Sequence, residues 1–305
     1  MWEASAFVTG AVLVIAGALS LLYPLRWVGI RTRGIAFIVI AAGFLAVALG
    51  TQMLDSYLVY LGFALAVLGS ISLIRPLRFL YVRTRPLALG ALIFGVLLSL
   101  STALIPYGEK KAVTTATRLD DWMPRWQVDE RHSIEIAAPP ERVFASIHAV
   151  RADEIVLFRT LVAIRRCGMI GPESILNPPE EQPLLDVATR TSFILLTNDA
   201  PREIVVGTVI AAPREARTTG KLEPDLFRKN LRPGVALAAM NFLVAPNGTA
   251  GSTVTTETRI FANTPAVLRR FGIYWRIIHP GSDLIRRMWL RAIAQRAEAA
   301  ATTAR

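Results

Sequence analysis

Few side chains in this chain have the type and spacing that catalysis or metal binding requires. It contains three histidines, His132, His148 and His279, and one cysteine, Cys167. Each histidine could serve as a general base, but none has a serine, cysteine or aspartate partner at a recognisable motif spacing. One cysteine allows neither an intrachain disulfide nor a cysteine-based zinc site. With no glycine-rich phosphate motif either, we expect no metal, no cofactor and no catalytic residue, although enzymatic activity stays open.

One charged pair has the spacing to recognise a polar ligand head. Glu257 and Arg259 lie two residues apart in an extended segment, so they share one face of the predicted strand. Facing inward, they would contact a polar head group; facing outward, they form a solvated pair of little energetic consequence. The alternate positions from Val254 to Ile260 are at least as apolar, which favours the outward orientation.

The charges are distributed unevenly along the 305 residues. Residues 1–106 carry nine charged side chains, and the other 48 of the 57 fall in 107–305. Together with 53% hydrophobic residues and a mean hydropathy of +0.43, this excludes a disordered chain and indicates a membrane region before a water-soluble one. We expect a transmembrane region over 1–106, a linker over 107–131 and a folded domain over 132–305.

The membrane region is predicted to cross the bilayer four times. Its apolar stretches, roughly 5–23, 34–52, 57–74 and 86–105, are 18 to 20 residues long without an interior charge, and about 20 helical residues span a hydrocarbon core. Backbone groups in lipid must pair within the segment, so these stretches are predicted helices. The first stretch lacks a basic flank and is too long for a cleavable signal peptide.

A repeat of 52 residues runs through this region. The segment Ser20–Arg33 (SLLYPLRWVGIRTR) recurs as Ser72–Arg85 (SLIRPLRFLYVRTR), so a helix pair joined by a basic loop is used twice. Repeats occur in transporters, but these spans contain no ionisable group to mark a transport path, which favours an anchor. Basic loops remain cytoplasmic, so the loops at 24–33 and 75–85 predict a multi-pass cell-membrane protein whose C-terminal domain is extracytoplasmic.

The region after the linker alternates between strand and helix patterns. Helices are predicted at 140–149 and 152–166, and 168–190 and 213–233 are irregular or polar. A long C-terminal helix is predicted to start at Thr264 and Pro265, break at Pro280 and resume at Ser282. Strands are predicted at 132–137, 191–197, 203–211, 235–244 and 252–261, with a hairpin at Pro246-Asn247-Gly248.

This order of elements resembles the SRPBCC superfamily of START, Bet v 1 and polyketide-cyclase-like proteins. The resemblance is carried by Arg131–Phe144 (RHSIEIAAPPERVF) at the start, and by Thr256–Ala262, Arg269–Trp275 and Arg286–Ile293 at the end. It covers about 128–300 and implies an α+β helix-grip domain, an antiparallel sheet wrapped on a long C-terminal helix. Five predicted strands are fewer than the six or seven usual in the family.

The helix-grip fold implies an apolar cavity between sheet and C-terminal helix, and so a hydrophobic ligand such as a lipid, sterol or polyketide. A helix laid on a sheet places a pocket there independently. The same side chains could instead close a filled core. The candidate walls are Met240, Phe242, Leu268, Phe271, Tyr274, Trp275 and Ile278.

Three functions are consistent with these patterns. The favoured one is a membrane-anchored binding or carrier module for a hydrophobic ligand. The alternatives are a cyclase or dehydratase that uses the same cavity, and an interaction or regulatory membrane protein with a filled core.

The basic surplus of the soluble region lies in its C-terminal helix, where residues 265–305 hold eight arginines against Asp283 and Glu298. Such a helix binds nucleic acid or anionic headgroups, or is simply solvated. The bilayer is the nearer anionic partner, so no nucleic acid is expected. The candidate membrane-surface residues are Arg286, Arg287 and Arg291.

Overall fold

The computed structural model divides into two compact units. The helical unit comprises Met1–Ile105 with Ile273–Pro280, and the sheet unit comprises Pro106–Gly272 with Gly281–Arg305. The structure describes residues 2–23, 25, 29–51, 53–76, 84–169, 171–212, 224–227 and 233–302. Most of the two predicted basic loops, including Arg26, Arg78 and Arg83, lies outside these residues.

Four helices build the helical unit: α1 (Trp2–Leu22), α2 (Arg33–Thr51), α3 (Leu54–Ile74) and α4 (Arg85–Leu104). Helices α3 and α4 are long and apolar enough to cross a membrane, with mean hydropathies of 2.1 and 2.2. In α1 and α2 the described apolar stretches, Val12–Leu21 and Gly34–Val47, are shorter. Of the four predicted spans, the described residues therefore support two.

The 52-residue repeat is visible in the helix contacts. A Cβ atom built on Gly62 would lie 2.6 Å from the carbonyl oxygen of Gly95, and one on Gly10 would lie 2.6 Å from that of Gly43. Gly62 and Gly95 stand 52 positions after Gly10 and Gly43. Small residues let helix backbones approach this closely, so α1–α2 and α3–α4 are two versions of one tightly packed pair.

The sheet unit contains a five-stranded antiparallel sheet, as many strands as the sequence predicts. Its strands are β3 (Val128–Ile136), β4 (Ile194–Asp199), β5 (Glu203–Ala211), β6 (Ala236–Asn247) and β7 (Gly251–Ala262), in the order β3-β7-β6-β5-β4. The predicted hairpin joins β6 to β7, where Asn247 pairs with Gly251. Gly248 has φ +66°, which glycine adopts without steric cost.

The segment before β3, predicted as a linker, has structure of its own. A short antiparallel pair, β1 (Lys110–Lys111) with β2 (Arg125–Trp126), encloses the helix α5 (Arg118–Trp122). Thr117 and Asp120 form a capping box at the start of α5, which satisfies free amide groups of that first turn.

The remaining helices of the sheet unit match the sequence prediction in part. Helix α6 (Pro140–Ala149) has the predicted bounds. The predicted helix 152–166 is divided into a 3-10 turn (Ala152–Glu154) and α7 (Phe158–Arg165), because Leu157 has a left-handed backbone with φ 61°. Helix α8 (Leu184–Thr191) follows Pro183 inside the segment that the sequence left irregular.

The C-terminal helix α9 (Pro265–Thr302) is continuous, so the predicted break at Pro280 is wrong. The predicted start is confirmed, since Thr264 Oγ1 accepts from the Val267 amide at 3.4 Å. An internal proline removes one helical hydrogen bond and costs about 3 kcal/mol. Apolar packing on both sides of Pro280 offsets that cost, because Trp275 is buried before the proline and Leu290 is buried after it.

One part of α9 belongs to the helical unit. Arg276 is buried there, with its Nε 3.0 Å from an Asp55 carboxylate oxygen. It also donates from Nη2 to the carbonyl oxygen of Ile105 at 2.8 Å. These contacts join Ile273–Pro280 to the start of α3 and the end of α4.

Both faces of the five-stranded sheet are covered. On one face, β6 packs against α6 and the later part of α9, with Phe242, Leu290 and Ile293 in the main apolar core. On the other face, Leu119 and Trp126 pack against Val205 and Leu237. Burial on both faces determines where charged side chains of the strands can lie.

Candidate functional site

A cluster of ionisable side chains lies on the face of the sheet that α9 covers. Glu130 and His132 stand two residues apart on β3 and therefore share that face. His132 Nε2 lies 2.9 Å from Glu130 Oε1 and 3.4 Å from Asp283 Oδ1 on α9. All three side chains are less than one-tenth exposed, at 8%, 3% and 9% for His132, Glu130 and Asp283.

Neighbours on α9 hold both carboxylates. Ser282 Oγ donates to Glu130 Oε2 at 2.8 Å. Arg287 donates from Nε and Nη2 to the two Asp283 oxygens at 2.8 and 3.1 Å. Hydrogen bonds of this kind position an acid–base group, because each oxygen has a fixed donor.

Two nitrogen atoms beside the cluster are buried without a hydrogen-bond acceptor among the described residues. They are Arg286 Nη1 and Trp289 Nε1. The Arg286 guanidinium lies 5.5 Å from the centre of the Trp289 ring, and that ring contacts Phe242 edge-on with centroids 5.1 Å apart. Burial lowers the pKa of Arg286; the Glu130 carboxylate opposes that shift and the charge of Arg165 adds to it.

The cluster has the donor types of a metal site. One ligand atom each from Glu130, His132 and Asp283 lies within 4.8 Å of the others, and carboxylate with imidazole suits several divalent metals. However, His132 already bonds Glu130, and Arg287 occupies both oxygens of Asp283. These bonds account for the three side chains as a hydrogen-bonded network.

The predicted cavity walls fall into different parts of the structure. Met240 and Phe242 are buried in the main core, and Trp289, which the sequence did not single out for the cavity, contacts Phe242. Leu268 and Phe271 belong to the sheet unit and are partly buried. Tyr274, Trp275 and Ile278 belong to the helical unit, where the Trp275 ring stacks on His279.

Glu257 and Arg259 lie on the face opposite α9, but they are buried rather than solvated. Arg259 donates from Nε to Glu257 at 2.6 Å and from Nη1 to Asp120 at 2.7 Å, and its guanidinium lies 3.8 Å from the centre of the Trp126 ring. The segment around α5 covers this face, which sequence spacing alone does not show. Protein acceptors thus occupy the guanidinium that we considered for a ligand head.

Asp120 is the acceptor at the centre of this second network. Its Oδ2 accepts from the amides of Ala116 and Thr117 and from the Thr117 hydroxyl, at 3.0, 2.8 and 2.9 Å. Burial raises the pKa of Asp120, but the hydrogen bonds from Arg259 and Thr117 outweigh it, so the net shift is downward.

The three arginines predicted to contact the membrane differ in exposure. Arg291 is exposed, Arg287 is partly exposed and paired with Asp283, and Arg286 has a buried guanidinium nitrogen. Of the other residues singled out, His148 packs on the Phe144 ring at 5.1 Å and Cys167 is exposed.

A separate open groove of about 830 Å³ lies near the far edge of the sheet. It contains an ion pair of Arg118 with Asp199 at 3.0 Å and a hydrogen bond from Trp122 Nε1 to Thr197 at 2.7 Å. Its lining residues are Arg118, Asp121, Trp122, Pro124, Thr197, Asn198, Asp199 and Phe227.

Sequence comparison places the chain in no known family, since no family model and no curated protein matches it. Among solved structures, it is similar to TTHA0849 from Thermus thermophilus, at 13% identity and a TM-score of 0.24. The match covers 57% of this chain and 99% of that protein.

Proposed function

We propose that this chain is a membrane-anchored binding or carrier module for a hydrophobic ligand with a polar head, such as a lipid, sterol or polyketide-like molecule. The proposal includes the SRPBCC/START-like assignment of the domain over 132–305. It is supported by the residue patterns at both ends of that domain and by an antiparallel sheet packed on a long C-terminal helix.

The Glu130–His132–Asp283 cluster is the observation that carries this proposal. Burying ionisable groups costs free energy even when they are paired, so a buried cluster of three is a candidate for a functional site. Here they border the apolar core that contains Phe242 and Trp289. An amphiphile would place its apolar chain against that core and its head beside the cluster.

The membrane anchor is the second part of the proposal. Helices α3 and α4 supply two spans, and the 52-residue repeat extends the same role to α1 and α2. With four spans and cytoplasmic arginine loops, the sheet unit lies outside the cytoplasm.

Photo-crosslinking to the full chain tests where a ligand binds. Diazirine-bearing fatty acid and sterol probes should label peptides of β3, β6 or residues 281–297, as mapped by mass spectrometry. His132→Ala should reduce that labelling several-fold, whereas the control His148→Ala, on α6, should leave it unchanged. Adducts confined to residues 1–105 would overturn the proposal and favour the interaction protein with a filled core.

An acid–base enzyme is the second candidate, because His132 lies between two carboxylates. A histidine so placed could move a proton in a cyclisation or dehydration. Ligands recovered from the wild-type chain and from His132→Gln should then differ by the mass of one water or by cyclisation. Identical ligands from both proteins would contradict an enzymatic activity and favour a binding function without catalysis.

A further inference from the structure

In the part of the chain that the structure describes, the two nitrogen donors beside the cluster have no protein acceptor. Arg286 Nη1 and Trp289 Nε1 have essentially no accessible surface, and Trp289 as a whole is 2% exposed. A buried donor without an acceptor costs about 1–3 kcal/mol. These two donors lie on one turn of α9, at the border of the apolar core. Their burial therefore indicates that a bound molecule supplies the acceptors.

The charges around these donors favour an anion over a cation. Arg165 and Arg286 are close enough to influence each other, and Glu130 is the carboxylate that acts on Arg286. Asp283 is already neutralised by Arg287. Because Arg286 carries a positive charge and has a second cation, Arg165, within electrostatic range, an added divalent metal would be repelled there and a single negative charge would be attracted.

The ligand chemistry follows from the number and type of donors. A guanidinium N–H and an indole N–H can each serve one oxygen of a carboxylate, and a monoanion costs less to bury than a phosphate dianion. The Trp289 ring contacts Phe242, so an alkyl chain attached to that carboxylate would extend from the two donors directly into apolar surroundings.

We propose that the ligand is a long-chain carboxylic acid whose carboxylate accepts hydrogen bonds from Arg286 Nη1 and Trp289 Nε1. This inference rests on the proposed function and assigns its ligand class. The Glu130–His132–Asp283 network, with Ser282 and Arg287, connects β3 to α9 and so fixes the position of this turn of the helix. An ordered water is the alternative acceptor, since buried waters commonly bond such groups.

Competition against the diazirine fatty acid tests the assignment in the full chain. Palmitic acid, hexadecanol and hexadecylamine differ only in their heads. In the wild type, the acid should compete at least tenfold better than the alcohol or the amine for labelling of residues 281–297, since one hydrogen bond to a charged group accounts for about a factor of ten or more.

Substitutions on α9 distinguish the loss of the two donors from a general effect of changing a residue on that helix. Arg286→Met should reduce the preference for acid over alcohol about tenfold, and Trp289→Phe, which removes the indole N–H but keeps an aromatic ring, should reduce it by a smaller factor. Arg291→Met is the matched control, because Arg291 is exposed on the same helix. Should Arg286→Met fail to fold, Trp289→Phe compared with Arg291→Met tests the indole donor on its own.

The outcomes are distinct. Equal competition by acid and alcohol in the wild type overturns the carboxylate assignment while the proposed function stands. An acid preference that survives both substitutions also overturns it and assigns the donors to water. Labelling absent from the sheet unit removes the proposed function itself.

Discussion

Two networks of buried charge lie on opposite faces of the same sheet. On β3 and β7, Glu130 pairs across the strands with Thr258, and Asp129 pairs with Arg259, so the faces alternate from residue to residue. One network, at Glu130, borders α9. The other, at Arg259, is covered by the segment around α5, and its guanidinium donates to both Glu257 and Asp120. We assign this second network a structural role.

Asp120→Asn tests that structural role. The substitution removes the charge that Arg259 faces and should lower the free energy of unfolding of the sheet unit at neutral pH by about 1.5–3 kcal/mol. The measurement is hydrogen–deuterium exchange of the peptides around β7 in the full chain in detergent. Asp121→Asn is the control, because Asp121 is exposed and lies 3.7 Å from its partner Arg118.

The stability of the wild type and that of Asp120→Asn should depend differently on pH. The pKa of Asp120 is lower in the folded than in the unfolded chain, so its ionised form stabilises the fold above the unfolded value of about 3.9. That stability is lost as the pH falls below this value towards the folded pKa. The wild type should therefore lose its advantage over Asp120→Asn in acid, and a pH-independent difference would contradict the account.

Residue spacing predicts faces better than it predicts burial. The shared face of Glu257 and Arg259 followed from their spacing, but their burial depends on Asp120, which is 139 residues away from Arg259 in sequence. Glu130 and His132 show the same spacing signal. Nothing in the sequence pairs them with Asp283, because that contact exists only once α9 has folded back onto β3.

At the scale of elements, glycine positions determine how closely helices pack. A Cβ atom on Gly95 would lie 2.5 Å from both the Ala66 amide nitrogen and the Gly62 carbonyl oxygen. Both are backbone atoms, so a side chain at Gly95 can be accommodated only if α3 and α4 separate.

Gly95→Ala should therefore loosen the α3–α4 pair by about 1–3 kcal/mol. The expected result is faster hydrogen–deuterium exchange in both helices, measured on the full chain in detergent micelles. Gly90→Ala is the matched control in α4, since a Cβ there meets nothing within 4 Å. Equal exchange in the two variants would show that the backbones are not in close contact.

The sequence predicted helices and strands well where proline, an N-cap residue or glycine stands at their ends. The Pro139-Pro140 pair, Thr264 with Pro265 and the Gly248 turn each correspond to an observed boundary. Helix α8 was missed because prolines surround it and its eight residues carry few periods of a pattern. The break at Pro280 was wrong because packing of the helix outweighed the local cost of proline.

At the scale of the molecule, amino-acid composition shows that the chain has two units, but it does not assign every segment to the right unit. The charge-poor residues 1–106 correspond closely to the first part of the helical unit, which ends at Ile105. Composition does not show that Ile273–Pro280 joins the same unit. The contacts of that segment join residues far apart in the sequence, such as Arg276 and Asp55, which are 221 positions apart.

The proposed orientation of the whole chain gives the last prediction. Seven arginines lie in the two loops at 24–33 and 75–85, against Lys110 and Lys111 after α4, so the sheet unit should be extracytoplasmic. Cys167 is exposed in that unit and is the one cysteine of the chain. A membrane-impermeant maleimide should thus label it on intact cells, and Cys167→Ser should abolish the signal. Thr249→Cys in the Cys167→Ser background places a second exposed thiol in the β6–β7 turn and should behave alike. If one predicted span does not cross the bilayer, the parity changes, and both positions should react only after the membrane is broken.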